Sequence, residues 1–441
     1  MNSTNTVFTP ADWQQRRQRL LAQMGPDAVA IIPAAPLRVR NGSVHFSYRQ
    51  DSDFYYLTGF AEPDAVAVLA PGRPDGEYVL FVRPKDPTRE RWDGYRAGPE
   101  GATCEFQADS AYPIELLDDV LPGIIATRPR VFYTMGVNPE FDQRVAGWVN
   151  RLRAQATPGR QVVPEFVALD YHLHEMRLIK STAEINAMRA SAQLAVKAHQ
   201  RAMRFTRAGV YEYQVAAELY HEFQRHQATM AYEPIVGGGP NACILHYRDN
   251  RAALLDGDLV LIDAGCELDY YASDITRTFP VNGRFTRPQA LLYDIVLAAQ
   301  AAAIAACRAG APWNAPHDAA VHVLTAGLLE LKFIQGTLAE LIEAQAYRPW
   351  FMHKTGHWLG MDVHDVGEYK KEQQWRALQA GMVLTVEPGL YIGPTDASVP
   401  AEFRGIGIRI EDDVCITAAG ADVLTQGAPK TRVDIEAWMG A

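Results

Sequence analysis

Four acidic residues and one histidine stand in stretches of the sequence that are otherwise typical of buried β-strands. Asp263 ends the apolar run at residues 259–262, and Glu387 ends the run at 382–386. Strand interiors are poor in Asp and Glu, and a buried carboxylate is costly unless a cation or strong donors meet it. The pattern therefore predicts a metal site. Its candidate ligands are Asp263, Asp274, His357, Glu387 and Glu411.

Composition and charge narrow the class of protein. The chain has 441 residues, 48% of them hydrophobic and 21% charged, which is ordinary for a globular protein of two or three domains. A formal net charge of -10 disfavours nucleic acid or an anionic membrane as a partner. The longest apolar stretch, residues 291–310, contains Asp294, Gln300 and Arg308, so we interpret it as a packed helix and not a membrane span.

The cysteines bear on the compartment. There are five of them, they are scattered, and no two form a Cys-x-x-Cys pair. This distribution fits reduced thiols better than a disulfide framework. We therefore expect a cytoplasmic protein.

The pattern of elements changes near residue 176. Before it, short apolar runs separated by Gly- and Pro-containing loops predict an α/β domain over residues 1–176. After it, Ser181 and Glu184 form a capping box that begins a long helix, so residues 177–441 are assigned to a second domain. The strands predicted in the first domain are residues 28–32, 65–70, 78–82 and 131–134.

The second domain contains a weak internal repeat. Residues 257–265 align without gaps with residues 381–389, and both segments read Gly, an apolar strand, an acid, then Gly two residues later. The ordinary composition of strands could produce such a match by chance. The acid at the same place in both copies favours two related halves, each offering a carboxylate at a strand end.

Asp263 and Asp274 are spaced to face each other across a hairpin. If Leu268 and Asp269 form a two-residue turn, 263 and 274 are directly opposed. Opposed residues share a face with Cβ atoms about 4.5–5.5 Å apart, where two carboxylates repel unless a proton or metal lies between them. Leu is a poor turn residue, and the alternative is one solvent-facing Asp and one turn Asp.

His353, His357 and His364 lie within twelve positions of one another. The first two have the spacing of a helical zinc motif, but Lys354 replaces the required Glu and the glycines that follow disfavour a helix. A lone histidine is more often a satisfied core or surface residue. Three this close together favour a functional role.

The donor set indicates which ions would bind. Carboxylate oxygens with one imidazole suit Mn²⁺, Zn²⁺, Co²⁺ or Fe²⁺, and four carboxylates exceed what one catalytic zinc usually takes. Two ions about 3.5–4 Å apart can hold a bridging water and lower its pKa to about 7. Such a site suits hydrolysis of an unactivated bond such as a peptide, with nearby histidines moving protons.

The ordered motifs resemble the pita-bread metallopeptidases. They are Asp263-Ala-Gly, Asp274-Ile-Thr-Arg-Thr-Phe, His357-Trp-Leu-Gly, Thr385-Val-Glu387-Pro-Gly and Gly407-Ile-Arg-Ile-Glu411-Asp. Segments similar more narrowly to bacterial Xaa-Pro aminopeptidases (aminopeptidase P) are Ser52-Asp-Phe-Tyr-Tyr-Leu-Thr-Gly, His174-Glu-Met-Arg-Leu-Ile-Lys180 and Cys243-Ile-Leu-His246-Tyr. The likeness implies an α/β N-terminal domain followed by an α+β pita-bread (creatinase/aminopeptidase) catalytic domain with a pseudo-twofold internal repeat.

The same resemblance implies two divalent ions, most often manganese. Asp274 and Glu411 would bridge them. His357 and Glu387 would complete one site, and Asp263 would chelate the other ion. Glu387 would also assist proton movement from the bridging water.

Other residues would shape the pocket in this family. His246, His353 and His364 would orient the scissile carbonyl and help the leaving proline nitrogen. Arg409 and Tyr391 would lie behind the ligands, although Arg409 could equally be a structural partner for one of the acids.

The reaction implied is release of the N-terminal residue from peptides with proline at the second position, by attack of a metal-bridging hydroxide on the Xaa-Pro carbonyl. The close alternative is a prolidase, which would accept only Xaa-Pro dipeptides. A non-enzymatic binding module of the same fold and a creatinase-like amidino hydrolase are disfavoured, because all five metal ligands are present.

The resemblance also implies partners. The N-terminal domain would shape the cleft and contribute to a homo-oligomer, a dimer or tetramer, with Trp92 in a loop that reaches a neighbouring subunit's site. Lys354 departs from the family pattern, in which the positions between the two histidines are usually small or apolar. We expect this cation to influence substrate preference or local pKa values.

Overall fold

The computed structural model describes residues 7–157 and 162–440. It divides into two compact units, Met1–Met176 and Arg177–Ala441. Each unit has its own hydrophobic core among the described residues.

A six-stranded mixed sheet forms the centre of the first unit. All strands of this unit, including two outside the sheet, are β1 (Ala28–Pro33), β2 (Val39–Asn41), β3 (Val44–His45), β4 (Val66–Leu69), β5 (Tyr78–Val82), β6 (Ser110–Pro113), β7 (Arg130–Phe132) and β8 (Glu165–Val167). The helices are α1 (Pro10–Met24), α2 (Ser52–Thr58), α3 (Pro87–Asp93), α4 (Gly98–Cys104), α5 (Leu117–Ile125), α6 (Pro139–Gln155) and α7 (Leu169–Leu178). The order across the sheet is β6-β5-β4-β1-β7-β8, and β2 and β3 form a separate hairpin.

Apolar runs explain the middle of this sheet. The four predicted runs correspond to β1, β4, β5 and β7, and β4 and β5 are buried along their whole length. Apolar side chains of α5 and α6 pack against these strands in one core. Of the two edge strands, β6 is half-buried and β8 is mostly exposed, so neither has the apolar run that would have predicted it.

The second unit combines helices with several small antiparallel sheets. Its helices are α8 (Thr182–Phe205), α9 (Glu212–Gln224), α10 (Arg287–Ala306), α11 (Ala315–Glu330), α12 (Leu338–Glu343) and α13 (Arg432–Met439). Its first strands are β9 (Thr229–Met230), β10 (Ile235–Gly238), β11 (Leu259–Asp263), β12 (Cys266–Leu268), β13 (Tyr271–Ala272) and β14 (Thr276–Pro280). The later strands are β15 (Lys370–Lys371), β16 (Gln374–Trp375), β17 (Val383–Val386), β18 (Gly389–Ile392), β19 (Ile406–Arg409), β20 (Asp412–Thr417) and β21 (Gly420–Val423).

The sequence repeat occupies equivalent places in two of these sheets. One copy supplies β11, which pairs antiparallel with β14, and the other supplies β17, which pairs antiparallel with β20. A Cβ at Gly265 would lie 1.7 Å from the Ser273 carbonyl oxygen, and one at Gly389 would lie 2.7 Å from that of Ile408. The repeated glycine is therefore a packing requirement, because another part of the backbone comes too close for any side chain.

α10 is the one helix in the described part of the chain that is long and apolar enough to cross a membrane by length and composition. Leu292, Tyr293 and Val296 on this helix are fully buried in the core of the second unit. Gln300 reaches from it to hydrogen-bond Asp412 at 2.8 Å. These contacts are those of a packed core helix, as the sequence predicts.

A buried ion-pair network fixes β14 against β20. Arg277 donates to the Asp412 carboxylate at 2.7 Å and to the Glu411 carbonyl at 2.5 Å. Lys430 donates to the other oxygen of Asp412 at 2.7 Å. Burial raises the pKa of Asp412, but the charges of Arg277 and Lys430 outweigh it and lower the pKa to about 2. The network holds two acid-bearing segments at a fixed separation.

The Gly265→Ala variant should destabilise the second unit by about 1–3 kcal/mol or more, because its methyl group would overlap backbone and force the hairpin apart. The measurement is urea denaturation of the chelated protein, so that metal binding does not contribute. Gly147→Ala is the control: it lies in α6 with nothing near its Cβ position, and should gain up to about 1 kcal/mol. Equal stability of Gly265→Ala and the parent would contradict the close approach.

Candidate metal centre

Asp263 is the last residue of β11 and lies between two antiparallel neighbours. It pairs with Ile235 of β10 on one side and Thr276 of β14 on the other. Its carboxylate accepts hydrogen bonds from Arg409 Nη2 at 2.5 Å and from Tyr232 Oη at 2.6 Å. The strand thus ends in an acid whose orientation is fixed by two donors.

The predicted turn after β11 is wrong by one position, which moves the pairing register by two. Leu268 pairs with Tyr271, so the two-residue turn is Asp269-Tyr270. Both turn residues have positive φ, 50° and 68°. Asp269 is a turn residue in both registers, so the observed turn differs from the predicted one in placing Tyr270, and not Leu268, in this left-handed backbone.

The correct register changes how Asp263 and Asp274 meet. Asp263 pairs with Thr276, so Asp274 lies two residues before its partner and the two acids are diagonal neighbours. A slip of two residues keeps a side chain on its original face, so both carboxylates still share one face of the hairpin. Tyr232 Oη, which carries a single hydrogen, lies within hydrogen-bond reach of both carboxylates and shows how close they are.

Glu387 and Glu411 take the equivalent places in the second half. Val386 pairs with Asp412, so the two glutamates flank the last residue pair of β17 and β20. The Glu411 N–H donates to the Thr276 carbonyl at 3.1 Å, and Thr276 Oγ1 donates to the Glu411 carboxylate at 2.7 Å. The ends of β14 and β20 are therefore joined, which brings the acids of both halves together.

His357 lies in an extended segment and not in a helix, as its neighbouring glycines predict. Its backbone N–H donates to Thr385 Oγ1 at 3.1 Å, and its Nδ1 lies 2.9 Å from the Trp358 carbonyl oxygen. Only an N–H can serve that carbonyl, so Nε2 is the free nitrogen. It lies 3.5 Å from Asp274 Oδ2 and 3.7 Å from Glu387 Oε1.

All five candidate ligands therefore converge. One ligand atom each from Asp274, His357 and Glu411 lie within 4.8 Å of one another. Glu387 joins this group through His357, and Asp263 joins it through Tyr232.

The pKa values of these groups show that the carboxylates have too few cationic neighbours. Burial and the charges of the neighbouring acids raise the pKa of Glu411 well above its usual range. Burial also raises the pKa of Asp263, against the opposing charge of Arg409, and that of Glu387, to about 7, against the charge of His357. Burial lowers the pKa of His357, but the hydrogen bond to Asp274 and the charge of Glu387 outweigh it and raise the pKa to about 9. Each shift has the sign expected where carboxylates crowd together without enough cations.

These residues fit divalent cations. Four carboxylates meet one guanidinium and one imidazole, so a bound cation would relieve their repulsion and repay their desolvation. His357 has the arrangement typical of metal-binding histidines, in which one nitrogen is tied to a backbone carbonyl and the other faces the ligands. The oxygen-rich donor set suits Mn²⁺, Zn²⁺, Co²⁺ or Fe²⁺.

Three further histidines surround the acids. His364 packs edge-on to His357 with ring centroids 4.4 Å apart. Burial, then the charges of His357 and His246, lower the pKa of His364. Burial, then Arg409 and more weakly His246, lower the pKa of His353 to about 4. His246 therefore lies close enough to act on both, and the structure gathers all three predicted histidines at one site.

Arg409 and Tyr391 connect the acids to His353. Arg409 donates to Tyr391 Oη at 3.0 Å as well as to Asp263. Tyr391 Oη lies 2.9 Å from His353 Nε2, and His353 Nδ1 lies 2.7 Å from the Lys354 carbonyl oxygen. Arg409 is thus a structural partner of Asp263, and through Tyr391 it also supports His353. The two predicted positions of Arg409, behind the ligands and beside an acid, are therefore compatible.

Two residues of the site were not predicted. Tyr232 bonds both aspartates, and burial with their charges raises its pKa well above the usual range. A single tyrosine in a loop gives no signal in the sequence. Asp413 is fully buried beside the site, where its carboxylate accepts the Asp274 N–H at 3.2 Å. The run of three acids ending at Asp413 inside a strand could have revealed it.

Lys354, the departure from the family pattern, is exposed. Burial lowers the pKa of His317 to about 4, and the charge of Lys354 acts in the same direction. The cation therefore lies near α11, which carries His317.

Comparison with known proteins identifies the family of the chain. Residues 186–418 match metallopeptidase family M24, and residues 13–133 match the aminopeptidase P N-terminal domain. Xaa-Pro aminopeptidase of Escherichia coli is 44% identical over 432 residues, covering 98% of both chains. That of Haemophilus influenzae is 42% identical over 426 residues, covering 96% of both.

Solved structures share the fold over nearly the whole chain. Pseudomonas aeruginosa aminopeptidase PepP is 54% identical with a TM-score of 0.97, covering 98% of both chains. E. coli aminopeptidase P with the inhibitor Pro-Leu is 43% identical with a TM-score of 0.94 and the same coverage. These matches confirm the predicted fold class, an N-terminal domain followed by a pita-bread catalytic domain. The chain belongs to metallopeptidase family M24, as a metallo-aminopeptidase with an aminopeptidase P N-terminal domain.

Proposed function

We propose that this protein hydrolyses the Xaa-Pro bond at the N-terminus of peptides and releases the first residue. The observation that carries the proposal is the convergence of Asp274, His357 and Glu411, with ligand atoms within 4.8 Å of one another, beside two more acids. The Escherichia coli and Haemophilus influenzae relatives, which match over 98% and 96% of the chain, are Xaa-Pro aminopeptidases, and this disfavours the prolidase alternative. Intact ligands disfavour a binding module.

Two divalent ions would occupy the site, with manganese as the first candidate. Asp274 and Glu411 would be shared between them, His357 and Glu387 would hold one, and Asp263 would hold the other. When bound, such ions polarise a carbonyl and lower the pKa of water to about 7. Arg409 and Tyr232 would keep the oxygens of Asp263 directed at the site.

The protein's own groups supply proton transfer and orientation. Glu387 directs Oε1 at His357 and Oε2 at His353, at 3.7 and 3.9 Å, so it can take a proton at either oxygen from a water placed among the acids. His353 has both ring nitrogens engaged, one by Tyr391 and one by a backbone carbonyl. It would therefore shape the wall of the pocket, as a neutral ring fixed in one tautomer.

The two exposed histidines are better placed to meet the peptide. His246 and His364 are both solvent-accessible and lie beside the ligand cluster. An imidazole N–H directed at the scissile carbonyl would stabilise charge that develops there, and a protonated imidazole would serve the leaving nitrogen. Proline's nitrogen has no hydrogen of its own, so a proton must be supplied to it as the bond breaks. The free amine of the substrate would lie among the carboxylates.

We infer the compartment and the assembly from two further observations. All five cysteines are unpaired, which supports the cytoplasm. Trp92 and Tyr95 of the first unit are 85% and 82% exposed. Large aromatic side chains this exposed are typical of contact surfaces, which supports a homo-oligomer, a dimer or tetramer, with the Trp92 loop at a subunit contact.

Activity should depend on metal and on peptide length. The chelated protein should release no arginine from Arg-Pro-Pro, and added Mn²⁺ should restore release, because the bound ions would lower the pKa of the attacking water. Free arginine is measured by chromatography. Asp263→Ala with Mn²⁺ should lose at least about a hundredfold in kcat/KM. Metal-dependent cleavage of Xaa-Pro dipeptides with an inert tripeptide would identify a prolidase instead.

Metal content should fall stepwise with the ligands removed. The parent should retain about two Mn²⁺ per chain after gel filtration. Asp263→Ala should retain about one ion per chain. Glu411→Ala, which removes a ligand shared by both ions, should retain less metal than Asp263→Ala. Elemental analysis gives the content. Asp422→Ala removes a surface acid paired with Arg189 and should keep the parent content. If Glu411→Ala retained the full Mn²⁺ content of the parent, the assignment of Glu411 as a shared ligand would be wrong.

A further inference from the structure

Glu212, the first residue of α9, is a buried acid without a cation. It is 0% exposed, and no described lysine or arginine pairs with it. One carboxylate oxygen accepts the Gly238 N–H at 2.8 Å and the Asn241 side-chain amide at 2.9 Å. The other accepts Tyr247 Oη and the Ala252 N–H, both at 2.8 Å.

These four donors come from the two ends and the middle of a single loop. Gly238 ends β10, and Ala252 lies fourteen residues later. Asn241 also donates to Tyr247 Oη at 3.1 Å, which closes a ring of hydrogen bonds around the carboxylate. His246 is next to Tyr247, so its backbone is fixed by this ring.

The loop also lies against the wall of the site. Ala242 packs in one apolar cluster with Leu261 and Tyr391, and Leu245 and Tyr247 pack against that cluster. Tyr391 is the residue whose hydroxyl meets His353. The loop is thus held by hydrogen bonds to Glu212 and by apolar packing against the wall of the site, and the imidazole of His246 remains exposed.

A buried carboxylate makes such a loop conformation all-or-none. The acid is stable in the interior only when several donors meet it, and a donor withdrawn by loop movement leaves an oxygen unsatisfied. The backbone is therefore confined to the geometry that satisfies all four bonds. A histidine carried on an otherwise irregular segment gains the fixed placement that catalysis needs.

We propose that Glu212, together with Tyr247, is a positioning residue that fixes His246 against the scissile bond. This inference rests on the proposed function, since it assigns the loop a part in the same reaction. It predicts that loosening the ring affects turnover through His246 and through no other group.

The experiment is a double-mutant cycle on the Mn²⁺-loaded protein with Arg-Pro-Pro. Tyr247→Phe removes one donor and should lower kcat roughly fivefold, with KM within about twofold, because His246 acts on the transition state. In the His246→Ala background the same change should have no further effect. Glu212→Gln should follow the same pattern with a larger loss, because an NH2 group replaces one carboxylate oxygen and cannot accept the two donors that meet that oxygen.

Tyr133→Phe is the matched control. It removes a phenol–carboxylate hydrogen bond of 2.6 Å to Asp142 in the first unit and should leave kcat unchanged. A second readout needs no activity: amide hydrogen exchange of residues 243–251 should be faster in Tyr247→Phe than in the parent or the control. If Glu212→Gln fails to fold, Tyr247→Phe decides the question alone.

The outcomes separate the two proposals. A loss of kcat that occurs when His246 is present but not in the His246→Ala background, together with faster exchange, supports the positioning role. Equal loss in both backgrounds, or unchanged kcat, would overturn it. A parent protein that releases no arginine with Mn²⁺ overturns the proposed function itself, and unchanged exchange in Tyr247→Phe would then also refute the restraint of the loop.

Discussion

Crowded negative charge is the constraint around which the catalytic unit is built. Strands that pair in register bring Asp263, Asp274, Glu387 and Glu411 to one place. Among the residues that the structure describes, Arg409 and His357 are the positively charged partners that they meet there. Burial and mutual repulsion raise the pKa of Glu411 and of Glu387, because the charged form of each carboxylate is disfavoured beside the others. The rest of the unit must hold these acids together against that repulsion.

Other acids in the same unit provide this restraint because they are neutralised. Burial raises the pKa of Asp365, but Lys180 and Arg177 lower it below its usual range, and this ion-pair cluster anchors the residue next to His364. Asp412 does the same for β14 and β20 through Arg277. Removing one partner of such a buried pair costs about 3–5 kcal/mol, so these networks can resist the repulsion at the site.

The sequence predicts most of the site because strand ends leave a clear signal. An acid after an apolar run, repeated at the same place in two copies, was enough to select Asp263 and Glu387. The predicted hairpin register is wrong because it places Leu268 in the turn. The prediction that both aspartates share one face of the hairpin still holds, because the register error is two residues. Tyr232 and Glu212 could not be found, because their partners are distant in sequence and neither residue stands in a motif. The short edge strands β6 and β8 were missed for want of an apolar run.

Three consecutive acids show how one strand separates the two kinds of carboxylate. Side chains alternate along a strand, so Glu411 and Asp413 face one side while Asp412 faces the other. Asp412 meets Arg277 and Lys430, and its pKa is lowered to about 2. Burial raises the pKa of Glu411 and of Asp413, which face the ligand side, where Asp413 holds the Asp274 N–H. The described lysine and arginine partners thus lie on the structural face, and the carboxylates of the other face are left with an excess of negative charge that a bound metal would balance.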